Sequence, residues 1–220
     1  MKKILVGIYN AVVWKLRFQS RHLPYYFSDK RFDQVLGIDT MGINDLKEDA
    51  SKYNDGTQYQ SVHYKWLITI FDHLPVHEKD VFCDFGCGKG RTLFYASYRG
   101  FKSIIGIELR SSLYKIALNN LKTFKKKKAT DEIVIYHGDV LEYKLPEITV
   151  YYLFNPFGVN TLRQVINNIE LGLIENPRNI RIAYFYAGNK ECVAYINSVK
   201  WLRSETVREG ECNIYFNMIT

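Results

Sequence analysis

Four cysteines are present, Cys83, Cys87, Cys192 and Cys212, and none forms a C-x-x-C pair. No histidine stands at metal-ligand spacing from them. This argues against a zinc site or any other metal centre, and fits reduced thiols in a cytoplasmic protein. No run reaches the ~20 apolar residues that a spanning helix needs. The N-terminal stretch MKKILVGIYNAVVWKLRF has only a short apolar part, Ile4 to Trp14, broken by Asn10. No A-x-A-like cleavage site follows it; Lys15, Arg17 and Arg21 do. Two readings of residues 1–18 stay open: a helix packed on the domain, or a basic amphipathic segment in peripheral contact with a membrane. Internal repeats, low-complexity linkers and recognised nucleic-acid motifs are also missing. The net charge of +7 permits an acidic partner, but without such a motif nucleic acid is not the favoured one.

What is there reads as an ordinary globular chain. Of the 220 residues, 47% are hydrophobic and 24% charged, and 17 Tyr with 13 Phe predict a core and clefts rich in rings. The length suits one α/β domain with a short extension. We divide it into an N-terminal extension or lid, 1–56, and a main domain, 57–220. RFDQVLGIDTMGINDL reads as ordered loop and DGTQYQS as a turn-rich stretch. VHYKWLITIFDHL reads as an amphipathic helix. From residue 80 the pattern alternates. DVFCDF, SIIGIE, EIVIYHGD, ITVYYLFNPFG and NIRIAYFYA read as strands. GRTLFYASYRG, a segment from Ser111 with a serine cap, VNTLRQVINNIELGLI and KECVAYINSV read as helices. The last segment, WLRSETVREGECNIYFNMI, reads as two strands joined tightly at Glu209-Gly210, hence an antiparallel hairpin. The expected fold is α/β: a doubly wound, mostly parallel, Rossmann-like seven-stranded sheet with an antiparallel C-terminal hairpin and a helical N-terminal extension.

The stretch VFCDFGCGKGRT places Gly86, Gly88 and Gly90 between a strand and a helix. Open α/β sheets bind ligands at such turns. A phosphate-cradling G-x-x-x-x-G-K-[ST] loop would need glycine at 83, which is Cys; a dinucleotide G-x-G-x-x-G would need glycine at 91, which is Arg. The actual pattern is D-x-G-x-G-x-G from Asp84. A carboxylate at the loop's mouth repels pyrophosphate and favours a cationic, phosphate-free ligand such as S-adenosylmethionine (SAM). Glu108, 24 residues on, ends the second strand and suits ribose hydroxyls. Asp139 follows the third strand and can accept from an adenine amino group. FNPFG ends the fourth strand.

With these residues together, the chain resembles the class I SAM-dependent methyltransferases over roughly 57–220. The resemblance implies SAM as cofactor and S-adenosylhomocysteine as product. It implies a cofactor site of Tyr59, Asp84, Phe85, Gly86, Gly88, Gly90, Glu108, Leu109, Asp139, Val140 and Asn155. Tyr59 lies in a lid, Asp84 and the glycines hold the methionine part, and Asp139 and Val140 frame the adenine. Asn155, Pro156 and Phe157 resemble, with one proline fewer, the [ND]-P-P-[YF] motif of amino-group methyltransferases; they would orient an acceptor nitrogen. Lys89 and Arg91 are candidates for the SAM carboxylate or an acidic substrate, or else a solvated helix start. His137 is a candidate base or a structural residue. The implied activity is methyl transfer to an acceptor, most readily a nitrogen on a protein side chain or small molecule. The alternatives are a SAM-binding accessory protein without catalysis and, disfavoured by Asp84 and the glycine spacing, an NAD-dependent oxidoreductase.

Overall fold

Short apolar runs, each followed by an amphipathic segment, must stack side by side and be covered on both faces. The computed structural model describes residues 25–44, 55–57, 59–125, 132–143, 147–186, 189–208 and 211–218. A helix α1 spans 25–36. A two-residue strand β1 (Ile43–Asn44) pairs antiparallel with β2 (Tyr59–Gln60), and α2 (Tyr64–His73) follows. The main sheet then alternates: β3 (Val81–Phe85), α3 (Arg91–Ala96), β4 (Ser103–Glu108), α4 (Ser111–Thr123), β5 (Ile133–His137), β6 (Val150–Phe154), α5 (Val159–Glu175), β7 (Arg181–Phe185), α6 (Lys190–Asn197), β8 (Leu202–Arg208) and β9 (Cys212–Asn217).

The strand order is β5-β4-β3-β6-β7-β9-β8. Strands β3 to β7 are parallel, and β9 slots between β7 and β8, antiparallel to both. The expected seven strands and terminal hairpin are present, with the reversed strand one place in from the edge. The chain runs outward from β3 through β4 to β5, then returns to the other side of β3 as β6. That reversal is the switch point at which open α/β sheets form a crevice. It places the ends of β3 and β6 side by side, with Phe85 registered against Leu153.

Alternation along the strands sorts side chains into two layers. Phe82, Ile104 and Tyr152 pack with α2 (Phe71), α3 (Leu93, Phe94) and α4 (Ala117). Cys83, Phe85, Tyr151 and Leu153 pack under α5 (Leu162, Val165, Ile166) and α6 (Ile196).

Two expectations need correction. The stretch read as loop from residue 31 is helical to 36. Its buried positions are Asp29, Asp33 and Leu36, two acids and one apolar residue, so no hydrophobic period marks it. The expected serine cap of α4 is not made: Arg110 holds the N-cap position, with no side-chain bond to the helix.

Away from the crevice, Arg181 on β7 bonds Asp80 Oδ1 at 2.5 Å and Pro75 O at 2.7 Å. Asp80 also accepts from His77 N and Thr149 Oγ1. Burial alone raises the Asp80 carboxyl, but Arg181, the His77 N–H and Thr149 outweigh it and hold it below its ordinary value. Arg181→Ala leaves a buried charge unpaired, with an expected loss of roughly 3–5 kcal/mol at neutral pH. Because Asp80 is depressed, this stabilisation is present above the ordinary carboxylate range and fades as pH falls through the folded-state value. Urea unfolding at neutral and acidic pH should show the gap between variant and wild type narrowing on acidification.

Candidate active site

The glycine loop is tied back to the next strand: Gly86 N and Cys87 N both donate to Ile107 O, at 2.9 and 3.0 Å. Its tightest point is Gly88, which has φ +56° and lies under the Tyr59 ring; a Cβ there would sit 2.2 Å from Tyr59 Cε2. Only glycine satisfies both the left-handed backbone and that approach. Gly88 N also donates to Glu108 Oε2 at 2.8 Å, while Arg110 N donates to Oε1 at 2.8 Å. Each carboxylate oxygen keeps a lone-pair direction for a ligand hydroxyl.

Asp84 and Glu108 end adjacent strands and are 3% and 5% exposed. Neither forms an ion pair among the described residues. Burial, then the Glu108 charge, push the Asp84 carboxyl well above its ordinary range, against a hydrogen bond from Thr92. Burial also raises Glu108, against the N–H groups of Arg110 and Gly88. Two buried acids without a cation are costly unless a ligand supplies one.

The cleft above them, about 170 Å³, is lined by Tyr59, Asp84, Gly86, Glu108, Leu109, Asp139, Val140, Asn155, Pro156 and Phe157. Ten residues expected at the site are thus brought together. Gly88 and Gly90 do not line it: the first lies beneath Tyr59 and the second is the N-cap of α3. Phe85 points to the other face, its ring 5.5 Å from Tyr151. Asp139 Oδ1 accepts from Leu141 N at 2.8 Å, leaving its second oxygen for a ligand.

The segment around residues 55–59 is fastened across the cleft from both sides. Thr57 Oγ1 donates to Asn155 O, Thr57 N to Pro156 O at 3.2 Å, and Gly56 bridges Phe157. Asp55 accepts from Thr161 N and Oγ1 at the start of α5, at 3.1 and 2.8 Å. Across the cleft, an Arg110 guanidinium nitrogen donates to Thr57 O. Tyr59 OH donates to Thr40 O at 2.9 Å. Asn155 itself holds a left-handed backbone, φ 42°, pinned by Asn155 N to Phe185 O at 2.7 Å. Its Oδ1 accepts from Asn189 Nδ2 at 3.3 Å. Thr57 thus donates to the backbone carbonyls of both Asn155 and Pro156.

Three further expectations change. Arg91 lines the cleft but is not a solvated helix start, and its guanidinium is already partnered within the chain. It is 3% exposed, and its guanidinium meets Asp29 Oδ2 at 3.2 Å, Asp33 Oδ2 at 3.5 Å and Thr40 Oγ1 at 2.6 Å. Lys89 donates to Met41 O at 2.6 Å and lies 5.6 Å from the Tyr59 ring centre. His137 stacks on Tyr114 at 5.0 Å and donates from Nε2 to Leu109 O at 3.1 Å, a structural arrangement. Sequence reasoning missed Asp29, Asp33, Thr57, Arg110 and Asn120. Asn120 accepts from Asp39 N and donates to Lys89 O, joining α4 to the loop. The one available signal was the four-residue spacing of Asp29 and Asp33, which puts both on one helix face. No group of three or more His, Cys, Asp or Glu among the described residues could hold a metal.

Residues 42–132, which include Thr57, the glycine loop and Glu108, match the family model described as "Histone methylation protein DOT1". Among solved structures, the tRNA methyltransferase TrmI from Aquifex aeolicus superimposes with a TM-score of 0.53 at 14% identity, covering 74% of this chain and 71% of its own. The chain shares the Rossmann-like fold of that methyltransferase. The SAM that the sequence resemblance implies fits here: Asp84 and Glu108, buried without an ion-pair partner among the described residues, suit its ammonium and hydroxyl groups. The fold is also shared with a precorrin 8w decarboxylase from Methanobacterium thermoautotrophicum (TM-score 0.52, 15% identity, 73% of this chain and 93% of that one). A stretch of 100 residues is 37% identical to a "Histone-lysine N-methyltransferase, H3 lysine-79 specific" from Dictyostelium discoideum, covering 40% of this chain. It spans only 5% of that much longer protein.

The raised Asp84 binds a proton in the folded state between its ordinary value and its raised one. Stability without ligand therefore falls as pH rises through that window. Asp84→Asn is expected to raise the ligand-free melting temperature at neutral pH by a few degrees, at about 2–4 °C per kcal/mol for this size, and to abolish the upward shift given by SAM. Thermal melts with and without SAM read both effects; an unchanged SAM shift would remove Asp84 from the site.

Proposed function

We propose that the chain transfers a methyl group from SAM to a side-chain amine of a protein. The observation that carries this is the meeting, at one switch point, of the two cation-free acids with the Asn155-Pro156-Phe157 strand end. The match to the histone-methylation model and the identity to a histone-lysine methyltransferase support a lysine amine as the acceptor. The model match ends at 132, before Asn155, so it bears on the cofactor half more than on the acceptor half.

When bound, SAM supplies a methyl group activated on a sulfonium cation. The chain's part is to hold and orient. Asp84, Glu108 and Asp139 would hold the ammonium, ribose and adenine ends; Val140 and Leu109 supply apolar walls. Asn155 Oδ1, with a lone pair free beside Asn189, would accept from the amine. Phe154 and Phe157 line the same cleft. An apolar surrounding favours the neutral amine, which is the nucleophilic form. Positioning a nitrogen against an activated methyl is the larger share of such catalysis.

The test is methyl transfer from radiolabelled SAM into fractionated extract. Label is expected in protein, at lysine, and in a purified histone mixture. Label in nucleic acid or small molecules only would overturn the acceptor, and SAM binding without transfer to any fraction would favour an accessory role. Asn155→Ala is expected to lower kcat roughly 10–100-fold while the dissociation constant for SAM stays within about twofold. A proportional loss of SAM affinity would instead assign Asn155 to the cofactor.

A further inference from the structure

Helix α1 buries two acids beside Leu36, where most surface helices turn mainly apolar residues inward. Its inward positions include Asp29 and Asp33, 1% and 3% exposed and both consumed by Arg91. Its outward positions carry Phe27 (72% exposed), Val35 (61%) and Tyr26 (44%), while Phe32 (41%), at the edge of this face, stacks on the buried Tyr64 ring. Phe27, Arg31 and Val35 are spaced by four and form one stripe. Lys30 and Arg31 are exposed beside these residues. The outward face of α1 therefore presents aromatic and aliphatic side chains with two cations and no acid.

The chain leading into this face has the same character. Residues 1–24, outside the described residues, hold five Lys or Arg, no Asp or Glu, and the apolar run from Ile4. Over 1–38 there are seven basic and two acidic residues, a net +5 of the chain's +7. Both acids are the buried ones, so the described part of this stretch meets its surroundings without a negative charge. Exposed apolar residues rimmed by cations match the interfacial zone of an anionic bilayer, where rings and aliphatic chains enter the acyl boundary and cations meet headgroups. Aliphatic residues such as Val35 offer nothing to a stacked base or a phosphate, which disfavours nucleic acid as the occupant.

We propose that the outward face of α1 docks on an anionic membrane surface. This surface is separate from the cleft: none of its residues lines it. The docking does not depend on the proposed reaction.

The test is co-sedimentation of the full chain with vesicles of phosphatidylcholine alone and with about one-third phosphatidylserine. Binding is expected to the anionic vesicles only, and to weaken in salt of about 0.5 M. Lys30→Gln and Arg31→Gln should each weaken it about fivefold. Phe27→Ser with Val35→Ser should weaken it about tenfold or more, while the SAM-induced thermal shift, reporting an intact fold, stays as in wild type. Equal binding to neutral and anionic vesicles, no binding to either, or binding to duplex DNA or RNA that displaces the vesicles would overturn the proposal. Self-association lost on Phe27→Ser and Val35→Ser without vesicle binding would also overturn it, in favour of a second copy as the occupant.

Discussion

The Arg91 guanidinium joins four stretches of chain that are otherwise far apart in sequence. It reaches Asp29 and Asp33 on α1, Thr40 in the following loop and the Val62 carbonyl before α2, while its own backbone opens α3 directly after the glycine loop. The Tyr64 ring lies 4.7 Å beneath it, and Tyr64 OH donates to Asp33 at 2.7 Å. Every exposed edge of the cation meets an acceptor or a π face, the condition under which a buried charge is tolerated. The cost of this arrangement is rigidity of choice. Lysine could not fork to two carboxylates, and losing either acid leaves charge in the core. The loop geometry, the anchor of Tyr59 at Thr40 and the seat of α1 all follow from this one satisfied guanidinium.

A second constraint works in the opposite direction. Asp84 and Glu108 are buried at adjacent strand ends, where burial raises both and the Glu108 charge further disfavours ionisation of Asp84. Arg91 sits nearby but is spent on the N-terminal acids. The chain thus pairs one set of carboxylates with a cation and leaves Asp84 and Glu108 without an ion pair among the described residues. Partnering, rather than residue type, distinguishes the two sets. Sites that hold unfavourable charge in this manner are stabilised by the ligand they bind and are less stable without it.

The sheet was legible because its signals are local. Apolar runs with abrupt ends at Asp84, Glu108 and Phe154 fall within a residue of the strand ends, and glycine spacing marked the loop. Cleft residues at strand ends followed from the topology alone. What was not legible depends on pairing across long separations. Arg91 looked like a loop cation because its partners lie about 60 residues upstream, in a stretch whose helix hides its acids inward. Thr57 looked like any turn residue, yet it caps the backbone of Asn155 and Pro156. Asn120 sits among the apolar positions of α4 and is buried only because loop backbones on two sides need its amide. Hydrophobic period reports burial against oil, and it is silent about burial against hydrogen bonds.

The fastening of residues 55–57 has a consequence for how the site comes into being. Thr57 and Asp55 reach residues 98 and 106 positions downstream, on β6 and the start of α5. While the chain is being made, the glycine loop and Glu108 emerge well before the strand that closes over them. Until β6 has joined β3, the cofactor half has neither its roof latch nor the Asn155 turn. A fragment ending near residue 132 would carry the residues that match the family model but lack the part that completes the cleft. The cleft is therefore completed only by contacts of high sequence separation, which cost the most chain entropy to close.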